Sequence, residues 1–325
     1  MSLTDKRYAI YWALAGLTRP RATFGFLRQQ REAERRWLAA KPMPIAQLDS
    51  VERLTILPLV EQLSAVQGAA TEPGVSYLVR AGDETVLFDV GFNMKNEHPS
   101  PLLRNMRLLG VSPDDLDSIF ISHLHLDHVG GSRRQADKTF ALSGEPVDLQ
   151  GVRAFVPTDM THASASVRVM EAPRRLAPGV ATTGPIMKAI WLMGPVLEQA
   201  MLVNVAGKGV VMIVGCGHPS LARLVERAQT VSGVDLYGVV GGLHFPVTGS
   251  RVGRGRQSIV GNGKLPWQRI TRREAREAAA LLASLDLKLV ALSAHDSCDW
   301  TLEAFADTLG DRFRTLKVGE EVVVA

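Results

Sequence analysis

The stretch "DSIFISHLHLDHVGG", residues 117 to 131, constrains this chain more than any other segment. The apolar run "SIFIS" reads as a buried strand, and directly after it three of the chain's eight histidines and an aspartate occupy six consecutive positions. Packing supplies no reason for such a cluster, because a buried neutral imidazole needs two hydrogen-bond partners and several together need many more. A divalent metal does supply one. His123 and His125 stand two apart in extended chain, so both side chains leave on one face. Asp127 and His128 follow where the chain must turn, and Gly130 and Gly131 permit close backbone approach. Two pairs of donors from one loop can thus face two adjacent ions, and nitrogen with carboxylate oxygen suits zinc, manganese or iron.

The flanking segments read as strands and helices in a repeated order. "LTILPLVEQL" is a strand, and "VSYLVRAGDETVLFDVG" is a hairpin around the turn "AGDE". "PLLRNMRLLG" has helical spacing and stops at Gly110, after which "SPDDL" caps a short turn. In the second half "QAMLVNV", "GVVMIVG" and "DLYGVVGG" read as three strands, with the amphipathic helix "PSLARLVERAQTV" between the last two. The helix "TRREAREAAALLASLD" then precedes the strand "KLVALSAH". Each half runs through strands to a helix and a further strand.

Charge divides the chain unevenly. Residues 1–41 hold nine Lys/Arg and three Asp/Glu, a net of +6, whereas the remaining 28 basic and 30 acidic residues give −2. A near-neutral body argues against a general nucleic-acid-binding surface. We therefore read residues 1–50 as a basic, aromatic helical extension and residues 51–325 as the catalytic domain. The extension is expected to form two short helices, one apolar and one amphipathic, broken at Pro20. They would pack on the main domain or a second subunit, or lie on an anionic membrane surface. Two cysteines, Cys216 and Cys298, cannot build a disulfide framework, and no secretory signal or span of about 18 apolar residues is seen, so a cytoplasmic protein is expected.

"HLHLDH" resembles the H-x-H-x-D-H signature of the metallo-β-lactamase superfamily, whose fold is a four-layer αββα sandwich. "TVLFDVG" is similar to the strand ending in Asp-x-Gly that precedes this signature, which makes Asp89 a residue that orients the ligands. "GCGHPS", "GGLHFP" and "SAHDSC" resemble three later motifs of one branch, which contains dihydropterin-type, methanopterin-related synthases and many metal-dependent hydrolases. The resemblance implies His123, His125, Asp127, His128, His218 and His295 as metal ligands for two divalent ions, zinc before manganese or iron. In the wider superfamily a histidine precedes the middle strand and a bridging aspartate follows it. Here Glu198 stands in the first slot, and His218 or Cys216 in the second; the alternative for Cys216 is a small core residue. The branch's His-Cys-Thr-Gly at the final ligand is replaced by "HDSCDW", so its named activity is not carried over.

His244 follows a buried strand and two glycines, which aims it at the same mouth as a proton donor or substrate clamp; the alternative is a structural histidine. His98 and His162 read as surface residues. The functional expectation is a dinuclear hydrolase: a metal-bridged hydroxide, oriented by Asp127, attacks an ester, lactone or phosphodiester bond of an anionic small molecule. The alternatives are synthase-type chemistry on a pterin and ribosyl-phosphate compound, and a non-hydrolytic metal-binding protein of the same fold. The anionic substrate is suggested by "VTGSRVGRGRQSIVGNGKLPWQR", where Arg251, Arg254, Arg256, Lys264 and Arg269 lie among five glycines.

Overall fold

A computed structural model describes residues 20–249, 263–265 and 267–325. The apolar helix expected before Pro20, and Arg251, Arg254 and Arg256, lie outside the described residues.

Two seven-stranded sheets face each other. The first has the spatial order β16 (Val322–Val324), β1 (Leu54–Val60), β2 (Ser76–Ala81), β3 (Glu84–Phe88), β4 (Ser118–Phe120), β5 (Arg153–Val156), β6 (Ser166–Val169). The second has the order β15 (Phe313–Thr315), β14 (Leu289–Leu292), β13 (Leu236–Gly241), β12 (Gly209–Val214), β11 (Met201–Val205), β8 (Val180–Thr182), β7 (Arg174–Ala177). A separate hairpin pairs β9 (Ile186–Ile190) with β10 (Gly194–Glu198).

Alternation along the strands builds the layers. Tyr77 and Val79 point into the cluster between the sheets, where Phe88 stacks on Phe120 with centroids 5.4 Å apart. Leu78 and Leu87 point the other way, onto Leu102 and Met106 of α2 (Pro101–Leu108). In the second sheet Val211 and Ile213 face inward, while Val210, Met212 and Val214 face outward. The outward set packs under α4 (Leu221–Ser232), α5 (Arg272–Ser284) and α6 (Asp299–Leu309), through Leu224, Ala279 and Phe305. Fully burying each large apolar side chain contributes roughly 1.5–3 kcal/mol, so three such clusters account for the stability of a four-layer αββα sandwich. A short α3 (Ser132–Ala136) follows the histidine loop.

Helix starts obey local chemistry. Ser100 caps α2 by accepting from the amide of Leu103, and Thr271 and Glu274 form a reciprocal capping box on α5. The extension contributes α1 (Pro20–Ala39), which begins at Pro20, where a missing amide hydrogen costs a helix nothing. This helix lies on the β9–β10 hairpin, with Phe26 buried against Ala189 and Trp191. The Arg223 and Arg227 guanidiniums sit over Trp37 at 5.0 and 5.2 Å. Among the described residues no helix is long and apolar enough to cross a membrane.

The strands β5 to β10, β15 and β16 had no counterpart in the sequence reading. Each is three to five residues long, and sequences such as "SVRV" and "RRLA" are too short and too polar to show a period. The central strands β3 and β4 run parallel, as do β12, β13 and β14. Their C-terminal ends therefore emerge along one edge of the sandwich, and the chemistry is there.

Candidate metal centre

Both halves deliver side chains to this edge. From the first sheet, Asp89 follows β3 and His123, His125, Asp127 and His128 follow β4. From the second, Cys216 and His218 follow β12, His244 follows β13, and His295 follows β14. His295 does not end its strand, although "KLVALSAH" reads as strand to its last residue, and His218 also stands clear of β12. They sit on turns beyond Val214 and Leu292, which carries their rings across to the first-half loop.

The rings converge closely. His123 lies 4.6, 4.1 and 4.9 Å, centroid to centroid, from His125, His128 and His218. His128 is 5.4 Å from His295, and His218 is 5.2 Å from His244. His125 Nδ1 and His218 Nε2 are 3.2 Å apart. Two nitrogens bound to one tetrahedral zinc at 2.0–2.1 Å are separated by about 3.4 Å, so this spacing fits a shared ion. Cys216 Sγ lies 3.1 Å from His128 Nε2 and 3.3 Å from His295 Nε2. Asp127, His128, Cys216 and His295 form one group whose donor atoms lie within 4.8 Å of one another, and His123, Cys216 and His218 form another. Cys216 belongs to both, and to a third with His244 and Asp296.

The outer hydrogen bonds fix which nitrogen faces inward. His128 Nδ1 bonds Asp89 Oδ2 at 2.7 Å, and His123 Nδ1 contacts Ser122 Oγ at 2.9 Å. Ser122 in turn donates to Asp89 from its hydroxyl and its amide, both at 2.7 Å. His295 Nδ1 meets Ser293 Oγ at 2.5 Å, and Ser293 bonds the buried carboxylate of Glu61, which also accepts from Tyr77 at 2.8 Å. Each ring thus presents Nε2 to the centre, and the buried Nε2 of His123 has no hydrogen-bond partner. Gly215 allows the second half to approach: a Cβ there would stand 2.2 Å from Ser122 Oγ.

Electrostatics agree with a cation at the centre. Burial, reinforced by neighbouring imidazoles, holds His123 and His295 well below the usual histidine range, and burial takes His125 down to about 4. These rings are neutral and carry the lone pairs a metal needs. His128 is the exception. Burial opposes its charging, but Asp127 and Asp89 outweigh that and raise it to about 9. The donor set therefore fits divalent metal, through Nε2 of His123, His128, His218 and His295, Nδ1 of His125, Asp127 and the Cys216 sulfur.

Glu198 stands apart from the donors. Its carboxylate accepts from the amides of Cys216, Gly217 and His218 at 3.0, 2.7 and 2.8 Å, so it shapes the loop that carries them. His244 has φ +55° and donates its amide to Asp296 Oδ2 at 2.8 Å. His98 is exposed as expected, but His162 is half-buried, stacked on Phe140 at 4.6 Å. The sequence reading missed Glu61, Ser122, Ser293 and Asp296. The signal was present in "LPLVEQ", where a glutamate ends an apolar strand, and in a serine after each of β4 and β14.

Comparison with known proteins agrees with this geometry. Residues 70–150 match the family model of the metallo-β-lactamase superfamily, and that stretch contains Asp89 and the whole first-half loop. Over residues 70–150, then, the chain is similar to the metallo-β-lactamase superfamily. A superfamily structure, Tm1679, described as a metal-dependent hydrolase, superposes with a TM-score of 0.57 at 18% identity, covering 83% of this chain and 98% of its own. A further relative is the 7,8-dihydropterin-6-methyl-4-(β-D-ribofuranosyl)-aminobenzene-5′-phosphate synthase of Methanocaldococcus jannaschii. It is 25% identical over 239 residues, spanning 61% of this chain and 80% of that protein.

Proposed function

We propose that this chain is a dinuclear, zinc-dependent hydrolase that cleaves an ester, lactone or phosphodiester bond in an anionic small molecule. One observation carries the reading: two donor groups, each drawing on both halves of the fold, share a single buried sulfur, that of Cys216. His123, His125 and His218 would hold one ion, Asp127, His128 and His295 the other, with Cys216 between them. Bound ions would supply Lewis acidity that activates water and polarises the scissile bond at neutral pH.

The chain's own residues do the rest. Asp89, Ser122, Ser293 and Glu61 hold the ring tautomers so that no histidine must reorient during turnover. Asp127 keeps 18% of its side chain exposed among almost wholly buried donors, which suits it to orient the attacking water. His244 stands beside His218 and serves as proton donor to the leaving group or as a clamp on the substrate. The likeness to the pterin-related synthase supports a second reading, synthase-type chemistry at the same centre, although "HDSCDW" after the last ligand differs from that branch.

Reconstitution followed by elemental analysis should give about two ions per chain, since six or seven donors exceed what one tetrahedral ion takes. Turnover should appear in a screen of lactones, phosphodiesters and thioesters. One ion per chain would overturn the dinuclear reading. Two ions without hydrolysis would favour the second reading.

A further inference from the structure

A cavity of about 400 Å³ opens beside His218 and His244, a volume that suits a small metabolite. Its wall carries four charged side chains, Lys188, Lys264, Glu274 and Glu277. Three are already compensated. Lys264 is paired with Glu274, which also closes the capping box with Thr271, and Glu277 lies 3.6 Å from Arg273. Nearby Glu34 is paired with Arg223.

Lys188 is different. It projects from β9, and among the described residues no carboxylate lies within ion-pair distance of it. Burial, together with Arg223 and Lys264, outweighs the attraction of Glu34 and holds its pKa below the usual lysine range. The chain at Gly263 runs hard against its stem: a Cβ there would stand 2.0 Å from Lys188 Cε. The ammonium is thereby held at the cavity wall, without a counter-ion among the described residues. The first turn of α4, from Ser220 to Ala222, lines the same cavity, and Ser220 makes no side-chain capping bond to it. Its amides add a favourable partial charge for an anion.

We propose that this cavity is a subsite for an oxyanion tail of the substrate, carboxylate or phosphate, with Lys188 as its counter-charge. The inference rests on the reading above, that the reacting end of the substrate lies at the histidine cluster. The tail then sits on the side of His218 and His244, remote from the bond cleaved. A single charge-assisted contact of this kind is worth roughly tenfold in affinity.

The test uses binding, so that it does not depend on turnover. Butyrate, glutarate and 4-phosphonobutyrate share a carboxylate for the metal centre and differ in what lies at the far end. Titrated calorimetrically into the zinc-loaded protein, the two dianions should bind about tenfold tighter than butyrate. The larger advantage assigns the tail as carboxylate or as phosphate. Lys188→Met keeps the stem seated against Gly263 and removes the charge, and it should collapse the advantage towards unity; Lys188→Arg should retain most of it. No advantage in the wild type, or an undiminished one in Lys188→Met, would overturn the proposal. Failure of the hydrolase reading shows separately, as absent turnover with the binding pattern intact.

Discussion

In the first half of the sandwich, Asp89 and Ser122 brace two histidines within one sheet; in the second, Glu61 and Ser293 brace one histidine across two sheets. Asp89 leaves β3 and serves the neighbouring parallel strand β4, holding His128 directly and His123 through Ser122. Glu61 leaves β1 in the first sheet and reaches Ser293 beyond β14 in the second, and through it His295. The chemistry is the same: a buried carboxylate polarises a serine, and the serine sets a ring. The load differs. Asp89 accepts three hydrogen bonds and sits at φ +55°, a conformation that costs a non-glycine residue on the order of 1 kcal/mol or more and that the surrounding contacts must enforce. Glu61 has one ligand histidine to orient, and it doubles as a tie between layers.

Removing Asp89 should therefore have the largest effect. Asp89→Ala is expected to weaken zinc binding by about 100-fold, the upper end for outer hydrogen-bond partners of a metal site, whereas Glu61→Ala should cost about tenfold. Competition against a chromophoric chelator measures both. Equal losses would mean that the two braces carry equal load, and the comparison would break.

Gly215 tests whether the first brace depends on the second half. Its Cα hydrogens face Ser122, and a methyl at 2.2 Å from the serine oxygen must push that hydroxyl off Asp89 or off His123 Nδ1. Gly215→Ala should lower zinc affinity by about tenfold and destabilise the protein by roughly 1–3 kcal/mol, the usual range for overpacking. Adding Ser122→Ala removes the clashing oxygen and should restore part of the stability lost. A Gly215→Ala variant with wild-type affinity would show that the serine has room to move.

How far all this could be read from sequence depends on range. "SIFISHLHLDH" announces its strand, loop and donors because the donors are neighbours in sequence and the strand before them is apolar. The order of strands and helices in each half was legible for the same reason, since β1 to β4 and β11 to β14 carry clear apolar patterns, whereas the αββα sandwich was implied by the resemblance of the motifs. Two things were not local. The strands from β5 to β10 are short and partly polar, so only pairing partners far along the chain define them. Glu61 and Ser293 belong to the site through a contact between sheets, Asp296 through its bond to the His244 amide from a neighbouring strand's loop, and no spacing rule joins residue 61 to residue 295. Cys216 was legible as a candidate for the bridging slot beside His218, but the contact of its sulfur with both His128 and His295 was not, because it follows from where those two loops end.

The smallest expected effect sharpens the second brace by its protonation. Burial raises the Glu61 carboxyl to about 7, above its ordinary 4.5, despite hydrogen bonds from Ser293 and Tyr77. Between those pH values the folded protein holds a proton that the unfolded chain has released. The stability this gives is complete below about pH 4.5 and is lost as pH rises through about 7. Glu61→Gln keeps the shape and an acceptor for Ser293 but has no proton to lose. Its zinc affinity should fall only severalfold, below the range for outright loss of an outer partner. Its melting temperature should lie below the wild type at pH 5 and gain on it steadily to pH 8, by a few degrees, since 1 kcal/mol is worth roughly 2–4 °C in a chain somewhat shorter than this. Melts of both proteins at matched metal content decide it. A difference that stays constant across that range would show Glu61 ionised throughout, and its tie to Ser293 would then be a buried charge of the same kind as Asp89.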